Sequence, residues 1–301
     1  MKILYIGVHY LGNEKKWRTE TWIDSSFTKH NIETNKIDYR QIIKESNLNN
    51  LKKIIKDKSN TVDLIFLQRG DKLTEDIFYD IKIPIIFWST EPINLKNDVD
   101  QLLSSHIFSW VFVHTYSCID RIKNDFPHLI KKSSVIHNAI SNDKIVSMNT
   151  NKKYFAIFNR NLSFRRKWWL LPSREYIKII KGKFGDSYYR DLHESLISVN
   201  IHFTSRNLDD FETGIFEAMA SGCIIVSESL CPKTIKDLDM KHSIIQVNSR
   251  KELKSKLKYL KQNPDLIVDY QNKIMATIKK NTWFHRVELF KNKFEEILLI
   301  K

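Results

Sequence analysis

The sequence predicts an α/β protein with two parallel-sheet domains. Short β-branched or aromatic runs alternate with charged, helix-like stretches along the whole chain, which is the pattern of βαβ units. The 301 residues are long for one hydrophobic core and comfortable for two. Hydrophobic residues make up 42% of the chain and aromatic residues 12%, which is enough to pack both interiors and argues against disorder.

The first half begins with a predicted strand, because Met1 to Val8 is apolar but too short and too quickly polar for a signal peptide. The strand candidates of this half are residues 2–7, 62–67, 83–88, 109–113 and 133–137. We expect a first domain over residues 1–145, with the polar segment 141–153 as the linker.

The second half repeats the same style and predicts a domain over residues 146–281. Its strand candidates are residues 154–158, 198–203, 224–226 and 244–247. Helical patterns lie between and after them, at residues 173–181, 188–196, 212–220 and 250–262.

The last segment, residues 282–301, predicts a long helix. Trp283, Val287, Phe290 and Phe294 are spaced by three or four residues and form one apolar stripe. Such a stripe must be buried, either on the domain that precedes it or on the first domain.

Composition indicates anionic partners and a cytoplasmic protein. The net charge of +14 favours nucleotide phosphates, acidic lipid, polyanionic glycans or nucleic acid, although a chain rich in Lys, Asn and Ile is basic for compositional reasons as well. No apolar run approaches the ~20 residues that span a bilayer. The three cysteines are odd in number and lack metal-ligand spacing, which predicts reduced thiols.

The segment from Asp209 to Gly222 has the pattern of a ligand-binding turn and helix. A turn around Thr213 and Gly214 precedes a helix, whose free N–H groups and positive end favour a phosphate. The carboxylate of Glu217, one turn into the helix, can accept hydrogen bonds from sugar hydroxyls. Gly222 fits the end of the helix, and an apolar strand follows it.

A second motif follows the first strand of the second half and is strongly basic. Guanidinium and ammonium groups stabilise charge on phosphate oxygens, and Arg160, Arg165, Arg166 and Lys167 are the candidates for that role. The competing interpretations are a solvated basic turn, or an aromatic platform at residues 168–169 that meets a membrane interface.

These two motifs resemble those of retaining nucleotide-sugar glycosyltransferases with the GT-B fold. An acidic residue, seven others, and then Glu-Ala-Met-Ala-x-Gly is the family 4-like pattern, with Asp209 in the place of the usual Glu. The variant from Phe216 to Gly222 resembles the CgeB-type glycosyltransferases of spore maturation. Their Arg shortly before Phe-Glu is absent, and Gly214 and Ile215 occupy that region.

The resemblance implies two Rossmann-like domains that face a central cleft, with a C-terminal helix that crosses back to the first domain. It also implies that the second domain binds the donor. The implied donor-binding residues are Arg160, Arg165, Thr213, Gly214 and Glu217, with Glu217 on the ribose hydroxyls. Asp209 would lie near the transferred sugar, where its carboxylate would hydrogen-bond the sugar hydroxyls or stabilise developing positive charge.

Three side chains after strands of the first half are candidates for the acceptor side. His9 would contact acceptor or donor sugar, and Glu91, in a Thr-Glu-Pro turn that resembles the CgeB type, is a candidate base or acceptor contact. His114 also follows a strand, although a structural hydrogen bond is the simpler role for any single histidine.

The sequence therefore predicts a glycosyltransferase that moves a hexose from a nucleotide diphosphate donor, with UDP favoured, to a hydroxyl acceptor in bacterial or phage glycan synthesis. Retention is favoured over inversion, and no cofactor or metal is expected. The alternatives are a DNA-base glucosyltransferase, a non-catalytic nucleotide- or glycan-binding protein, and a sugar-nucleotide epimerase. Expected partners are the donor, an acceptor glycan, glycoconjugate or DNA, and an anionic membrane surface.

Overall fold

The computed structural model describes residues 1–9, 15–90, 93, 98–146, 152–181, 183–203 and 212–300. The chain divides into two compact units. One unit comprises Met1–His137 with Trp283–Lys301, and the other comprises Asn138–Thr282. The domain limits predicted from the sequence are 145/146 and 281/282, whereas the two units divide at 137/138 and 282/283.

The first unit holds a parallel sheet with the strand order β2-β1-β3-β4-β5-β6. Its strands are β1 Lys2–Gly7, β2 Glu33–Asp38, β3 Leu64–Gln68, β4 Ile85–Ser89, β5 Trp110–Val113 and β6 Ser133–Val135. Its helices up to residue 132 are α1 Thr19–Lys29, α2 Tyr39–Glu45, α3 Leu48–Ser59, α4 Asp100–Leu103 and α5 Tyr116–Asp125, with 3-10 turns at Lys15–Trp17, Glu75–Phe78 and Pro127–Lys132.

The central strands β3 and β4 account for the clear apolar runs in this half of the sequence. Every residue of both strands is buried, as expected for parallel strands covered by helices on both faces. The edge strand β2 is instead mostly polar and half-exposed. Helix α3 begins where the Asn47 side chain accepts a hydrogen bond from the Asn50 N–H at 2.9 Å, and it buries Leu51 and Ile55.

The second unit holds a parallel sheet with the order β11-β10-β9-β7-β8. Its strands are β7 Tyr154–Phe158, β8 Ile177–Ile179, β9 Ser195–Asn200, β10 Ile224–Glu228 and β11 Ile244–Val247. Its helices are α6 Phe164–Leu170, α7 Asp186–His193, α8 Thr213–Ala220, α9 Pro232–Asp237, α10 Arg250–Gln262 and α11 Pro264–Ile278, with 3-10 turns at Asn142–Lys144 and Leu171–Ser173.

One predicted helix of this unit is wrong. Residues 173–181 contain β8, which pairs with β7 at the edge of the sheet. Its burial pattern is that of an edge, with Ile177 buried but Ile179 exposed. A three-residue strand at an edge carries too short a pattern to show period-two alternation, so pairing with β7 decides its conformation.

The C-terminal helix α12, Trp283–Leu299, returns to the first unit. Its predicted stripe is buried there, and the Phe290 ring lies 5.1 Å from Phe66, 5.0 Å from Phe112 and 5.7 Å from Trp88, between ring centroids. At the start of the helix, His30 of α1 contacts the Phe284 carbonyl at 2.8 Å. The α/β fold class with two parallel-sheet Rossmann-like units, and a terminal helix that packs on the first, is confirmed.

The two sheets share a topology that fixes where a ligand can bind. In each unit the first strand of the sheet lies between the second and the third, as in the order 2-1-3-4-5. The connections on either side of this first strand leave in opposite directions, which opens a crevice at the carboxyl ends of the first and third strands. These crevices lie at β1/β3 and at β7/β9. None of the described helices is both long and apolar enough to cross a membrane.

We predict that Phe290→Ala lowers the free energy of unfolding by about 3–5 kcal/mol, because it removes a fully buried ring from the aromatic cluster of the first unit. The neighbouring Leu289 is 48% exposed, so Leu289→Ala is the matched control and should change stability by about 0.5 kcal/mol or less. Urea unfolding monitored by circular dichroism measures both. Equal stabilities of the two variants would contradict the assignment of α12 to this core.

Candidate functional site

A cavity of about 370 Å³ lies in the second unit at the carboxyl ends of β7 and β9, which is the crevice that the strand order predicts. Three of the predicted donor-binding residues line it, namely Arg160, Gly214 and Glu217. Five further residues of the lining had no predicted role: Asn159, Asn161, Lys183, Tyr188 and Phe203. Arg166, a further cation of the basic motif, and Glu212 also line the cavity.

Arg160 lies directly against the start of helix α8. It follows β7, and its guanidinium covers Gly214, the second residue of the helix. A Cβ built on Gly214 would be 2.8 Å from Nη1 and 2.9 Å from Nη2 of Arg160. Such distances are too short for a real Cβ, so glycine is what lets a cation and the first N–H groups of a helix share one side of the cavity.

Glu212 joins two arginines at the same helix end. It occupies the N-cap position of α8, and its carboxylate pairs with Arg160 through one oxygen and with Arg166 Nη2 at 2.9 Å through the other. The Arg160 and Arg166 side chains are only 7% and 3% exposed, whereas Glu212 is 34% exposed. Two buried guanidinium groups thus share the carboxylate of Glu212 at this point of the cavity wall.

Arg166 is held as part of the scaffold. Its Nε donates to the Ile201 carbonyl at 2.8 Å and its Nη1 donates to the Asn161 carbonyl at 2.9 Å. The guanidinium also lies 5.7 Å from the Phe158 ring and 5.3 Å from the half-exposed Phe203 ring. These contacts fix the arginine at the ends of β7 and β9 rather than leaving it free to follow a ligand.

The structure does not bring Arg165 into this cavity. Its Nη1 donates to the His202 carbonyl at 2.9 Å, and both of its Nη groups pair with Glu228 at the carboxyl end of β10. Neighbouring residues on a helix point about 100° apart, so Arg165 and Arg166 at the start of α6 reach different partners. Donor contact by Arg165 stays a prediction, and Arg166 is the cation that accompanies Arg160.

Glu217, on α8, is the second carboxylate that lines the cavity, and it is partly buried. Tyr188 donates to one of its oxygens at 2.9 Å and Tyr189 donates to the other at 3.0 Å. Burial raises the pKa of Glu217 above its usual value, while the two hydroxyls and Arg160 act in the opposite direction. Burial and the nearby carboxylate also raise the pKa of both tyrosines, which therefore stay neutral donors.

The tyrosines come from helix α7 and were missed in the sequence. The predicted helix at 188–196 showed only an ordinary amphipathic pattern, and two adjacent tyrosines gave no sign that both hydroxyls converge on one carboxylate. Their rings meet edge to face at 5.5 Å between centroids, and both hydroxyls reach the Glu217 carboxylate. Thr213, also predicted to bind the donor, is the first residue of α8 and is not among the side chains that line the cavity.

The acceptor-side candidates are only partly visible. His9 lies after β1 at the β1/β3 crevice of the first unit, with its Nε2 3.3 Å from the Tyr5 carbonyl oxygen. Burial lowers the pKa of His9, although the nearby Glu20 carboxylate opposes this, and the imidazole is neutral at pH 7. The candidates Glu91 and Asp209 lie outside the described residues. His137 Nδ1 contacts the His114 carbonyl at 3.0 Å, a structural role.

The buried carboxylate of Glu20, which lies near His9, forms an ion pair with Arg69. The distance between Glu20 Oε1 and Arg69 Nε is 2.6 Å. In the part of the chain that the structure describes, no group of three or more His, Cys, Asp or Glu side chains could hold a metal ion.

Residues 168–292 match a family model described as glycosyl transferase-like. The matched region includes helix α8 with Gly214 and Glu217 and the two tyrosines of α7, and it begins within α6, after the basic residues of that helix. No curated protein matches the chain in sequence.

Solved glycosyltransferases share the fold at low sequence identity. The Anabaena protein HepE, solved with UDP-glucose, is 11% identical, with all of both chains covered and a TM-score of 0.60. A DNA-modifying β-glucosyltransferase is 13% identical, with 99% of each chain covered and a TM-score of 0.62. The pneumococcal O-GlcNAc transferase GtfA is 12% identical with a TM-score of 0.57; 82% of this chain is covered, and it spans 60% of that protein's length. These likenesses show the GT-B fold.

We predict a pH dependence of stability that arises from Glu217. Because its folded pKa lies above 4.5, its usual value, the folded state holds a proton that the unfolded state has released, and stability falls as the pH rises from 4.5 through the folded pKa. Glu217→Gln removes this loss. The measurement is the difference in unfolding free energy between wild type and variant across that range, by urea titration at several pH values.

The Tyr188→Phe variant sharpens this test. It removes a donor that stabilises the charged carboxylate, so the loss of stability should extend to higher pH than in the wild type. A difference between wild type and Glu217→Gln that does not change with pH would contradict the raised pKa.

Proposed function

We propose that the chain is a glycosyltransferase of the GT-B fold that transfers a hexose from a UDP-sugar to a hydroxyl acceptor, in bacterial or phage glycan or glycoconjugate synthesis. One observation carries the proposal: Arg160 lies on Gly214 at the start of α8, in the same cavity as the partly buried Glu217. The glycosyl transferase-like match, which covers α8, and the fold support it.

In the proposed donor complex the diphosphate lies at the start of α8. The free N–H groups of the helix, Arg160 and the positive helix end would all favour its charge. Lys183 lines the same cavity, where it pairs with Asp191 at 2.6 Å. Glu217 accepts hydrogen bonds from ribose hydroxyls, since each of its oxygens keeps a lone pair beyond the one that a tyrosine occupies.

The proposed reaction breaks the bond between the anomeric carbon and the β-phosphate oxygen of the donor. The electron pair of that bond passes to the departing nucleotide diphosphate, whose charge Arg160 and the helix end stabilise. The acceptor hydroxyl forms the new bond to the anomeric carbon and gives its proton to a base. We assign Asp209 to the sugar, with retention of configuration, and His9 or Glu91 to the acceptor side, with no bound metal required.

A DNA acceptor is the second candidate. The net charge of +14 suits a polyanion, and a DNA-modifying enzyme is among the proteins that share the fold. Salt-sensitive binding of duplex DNA together with sugar transfer to it would select this candidate over a glycan acceptor. A protein that binds the donor but transfers sugar to neither acceptor would be the non-catalytic alternative.

We predict that UDP or a UDP-sugar raises the melting temperature without added divalent metal. At a hundredfold excess of ligand over its dissociation constant, the free energy of unfolding should rise by about 2.7 kcal/mol. Arg160→Ala and Glu217→Gln should each weaken this binding about tenfold or more, because each removes a charged contact from the lining of the cavity. Arg174→Ala, an exposed arginine of the same unit, is the matched control.

Two outcomes would count against the donor site. Unchanged affinity in both cavity variants would remove Arg160 and Glu217 from it, and no stabilisation by any nucleotide diphosphate or nucleotide sugar would remove the proposed function. Isothermal titration with the best ligand of the panel gives the dissociation constants.

We also predict that Gly214→Ala weakens nucleotide binding about as much as Arg160→Ala. The added methyl group would overlap the guanidinium of Arg160 and move it away from the helix end, at little cost to stability because alanine favours the helix. Ala218→Gly, in the same helix, is the control for a change of helix propensity. Wild-type affinity in a stable Gly214→Ala protein would show that the contact between Arg160 and α8 is not needed for binding.

A further inference from the structure

Helix α6 and the turn after it expose three large apolar side chains on one side. Phe164 is 86% exposed, Trp168 49% and Leu171 57%. Their spacing of four and three residues places them on the same side of the helix. The opposite side is satisfied by burial, because Trp169 and Leu170 lie in the core of the second unit.

Basic side chains surround these residues. The Arg250 guanidinium, at the start of α10, lies 4.0 Å from the centre of the Trp168 ring. Lys167 on α6 and Lys251 on α10 are exposed beside them. Two acidic residues have partners of their own in this unit. Glu175 forms an ion pair with Lys254 at 2.9 Å, and Glu252 accepts a hydrogen bond from the Asn248 N–H at 2.8 Å.

We propose that this aromatic–basic surface, formed by Phe164, Trp168, Leu171, Arg250 and Lys251, docks on the surface of an anionic lipid bilayer. Aromatic and aliphatic side chains insert at the boundary between headgroups and acyl chains, and neighbouring cations pair with anionic headgroups. The stacking of Arg250 on Trp168 holds a cation at the level of the inserting ring. The surface does not use the residues of the proposed donor cavity.

A lipid surface fits these side chains better than a nucleic acid does. Duplex DNA would engage the cations through its phosphates but would leave Phe164 and Leu171 in water. Single-stranded nucleic acid stacks on aromatic rings, yet it offers nothing to the exposed aliphatic Leu171. A bilayer interface takes up all three apolar groups and the cations at once. The charge of the whole chain, +14, adds attraction to an anionic membrane.

The test is flotation of the full chain with phosphatidylcholine vesicles, with and without phosphatidylserine. We expect binding to the anionic vesicles that weakens with added salt and is about tenfold or more weaker in Phe164→Ser/Trp168→Ser and in Arg250→Glu/Lys251→Glu. The matched controls are Val268→Ser/Leu289→Ser, which changes other exposed apolar residues, and Lys258→Glu/Lys279→Glu, which makes the same change of net charge elsewhere. The controls should bind like the wild type.

A second readout locates the contact. Lipids brominated in the acyl chain should quench tryptophan fluorescence of the wild type, and Trp168→Phe should remove most of that quenching. No binding to anionic vesicles would overturn the proposal, as would equal losses in the surface variants and the charge-matched control. Binding of duplex or single-stranded DNA that depends on Trp168, without vesicle binding, would also overturn it. Melting shifts with UDP, measured on the same variants, report the donor site separately.

Discussion

The cavity at the carboxyl ends of β7 and β9 depends on a shared ion pair at the start of helix α8. Arg166 is almost fully buried, and a buried cation is stable only when its hydrogen bonds and charge are satisfied. Two backbone carbonyls satisfy part of it, and the carboxylate of Glu212 satisfies the rest while also pairing with Arg160. The same carboxylate therefore joins the end of β7, the end of β9 and the beginning of α8, and this fixes the wall against which a ligand would bind.

A second carboxylate of the cavity, Glu217, lies one turn further along α8. Its partial burial strengthens the electrostatic interactions that it makes and raises its pKa. Tyr188 and Tyr189 hold its two oxygens in place from another helix. A carboxylate with both oxygens oriented by protein donors loses little freedom when a ligand hydroxyl joins, so its contribution to binding comes from preorganisation rather than from charge alone.

Much of this arrangement could be predicted because it has a pattern in sequence. Parallel strands read as apolar runs, and the stripe from Trp283 to Phe294 predicted a buried terminal helix. The position of Gly214 at a helix entrance was visible, although its close contact with the Arg160 guanidinium was not. The choice between Arg165 and Arg166 was not visible, since it depends on which direction each side chain leaves α6. The convergence of Tyr188 and Tyr189 on Glu217 depends on how α7 packs against α8, and no local spacing encodes that. The edge strand β8 was lost because its conformation comes from pairing with β7.

The shared ion pair also bears on how tightly a diphosphate could bind. In the structure Arg160 already has an anionic partner, Glu212, and a diphosphate in the proposed site would offer oxygens to the same guanidinium. The affinity then reflects the difference between two charged partners, not the full strength of an arginine–phosphate contact. Glu212 is the more exposed member of its pairs, so it can turn toward water at a smaller cost than either arginine. A site of this kind keeps its cations ordered when empty, and it gains selectivity for ligands whose charge exceeds that of a single carboxylate.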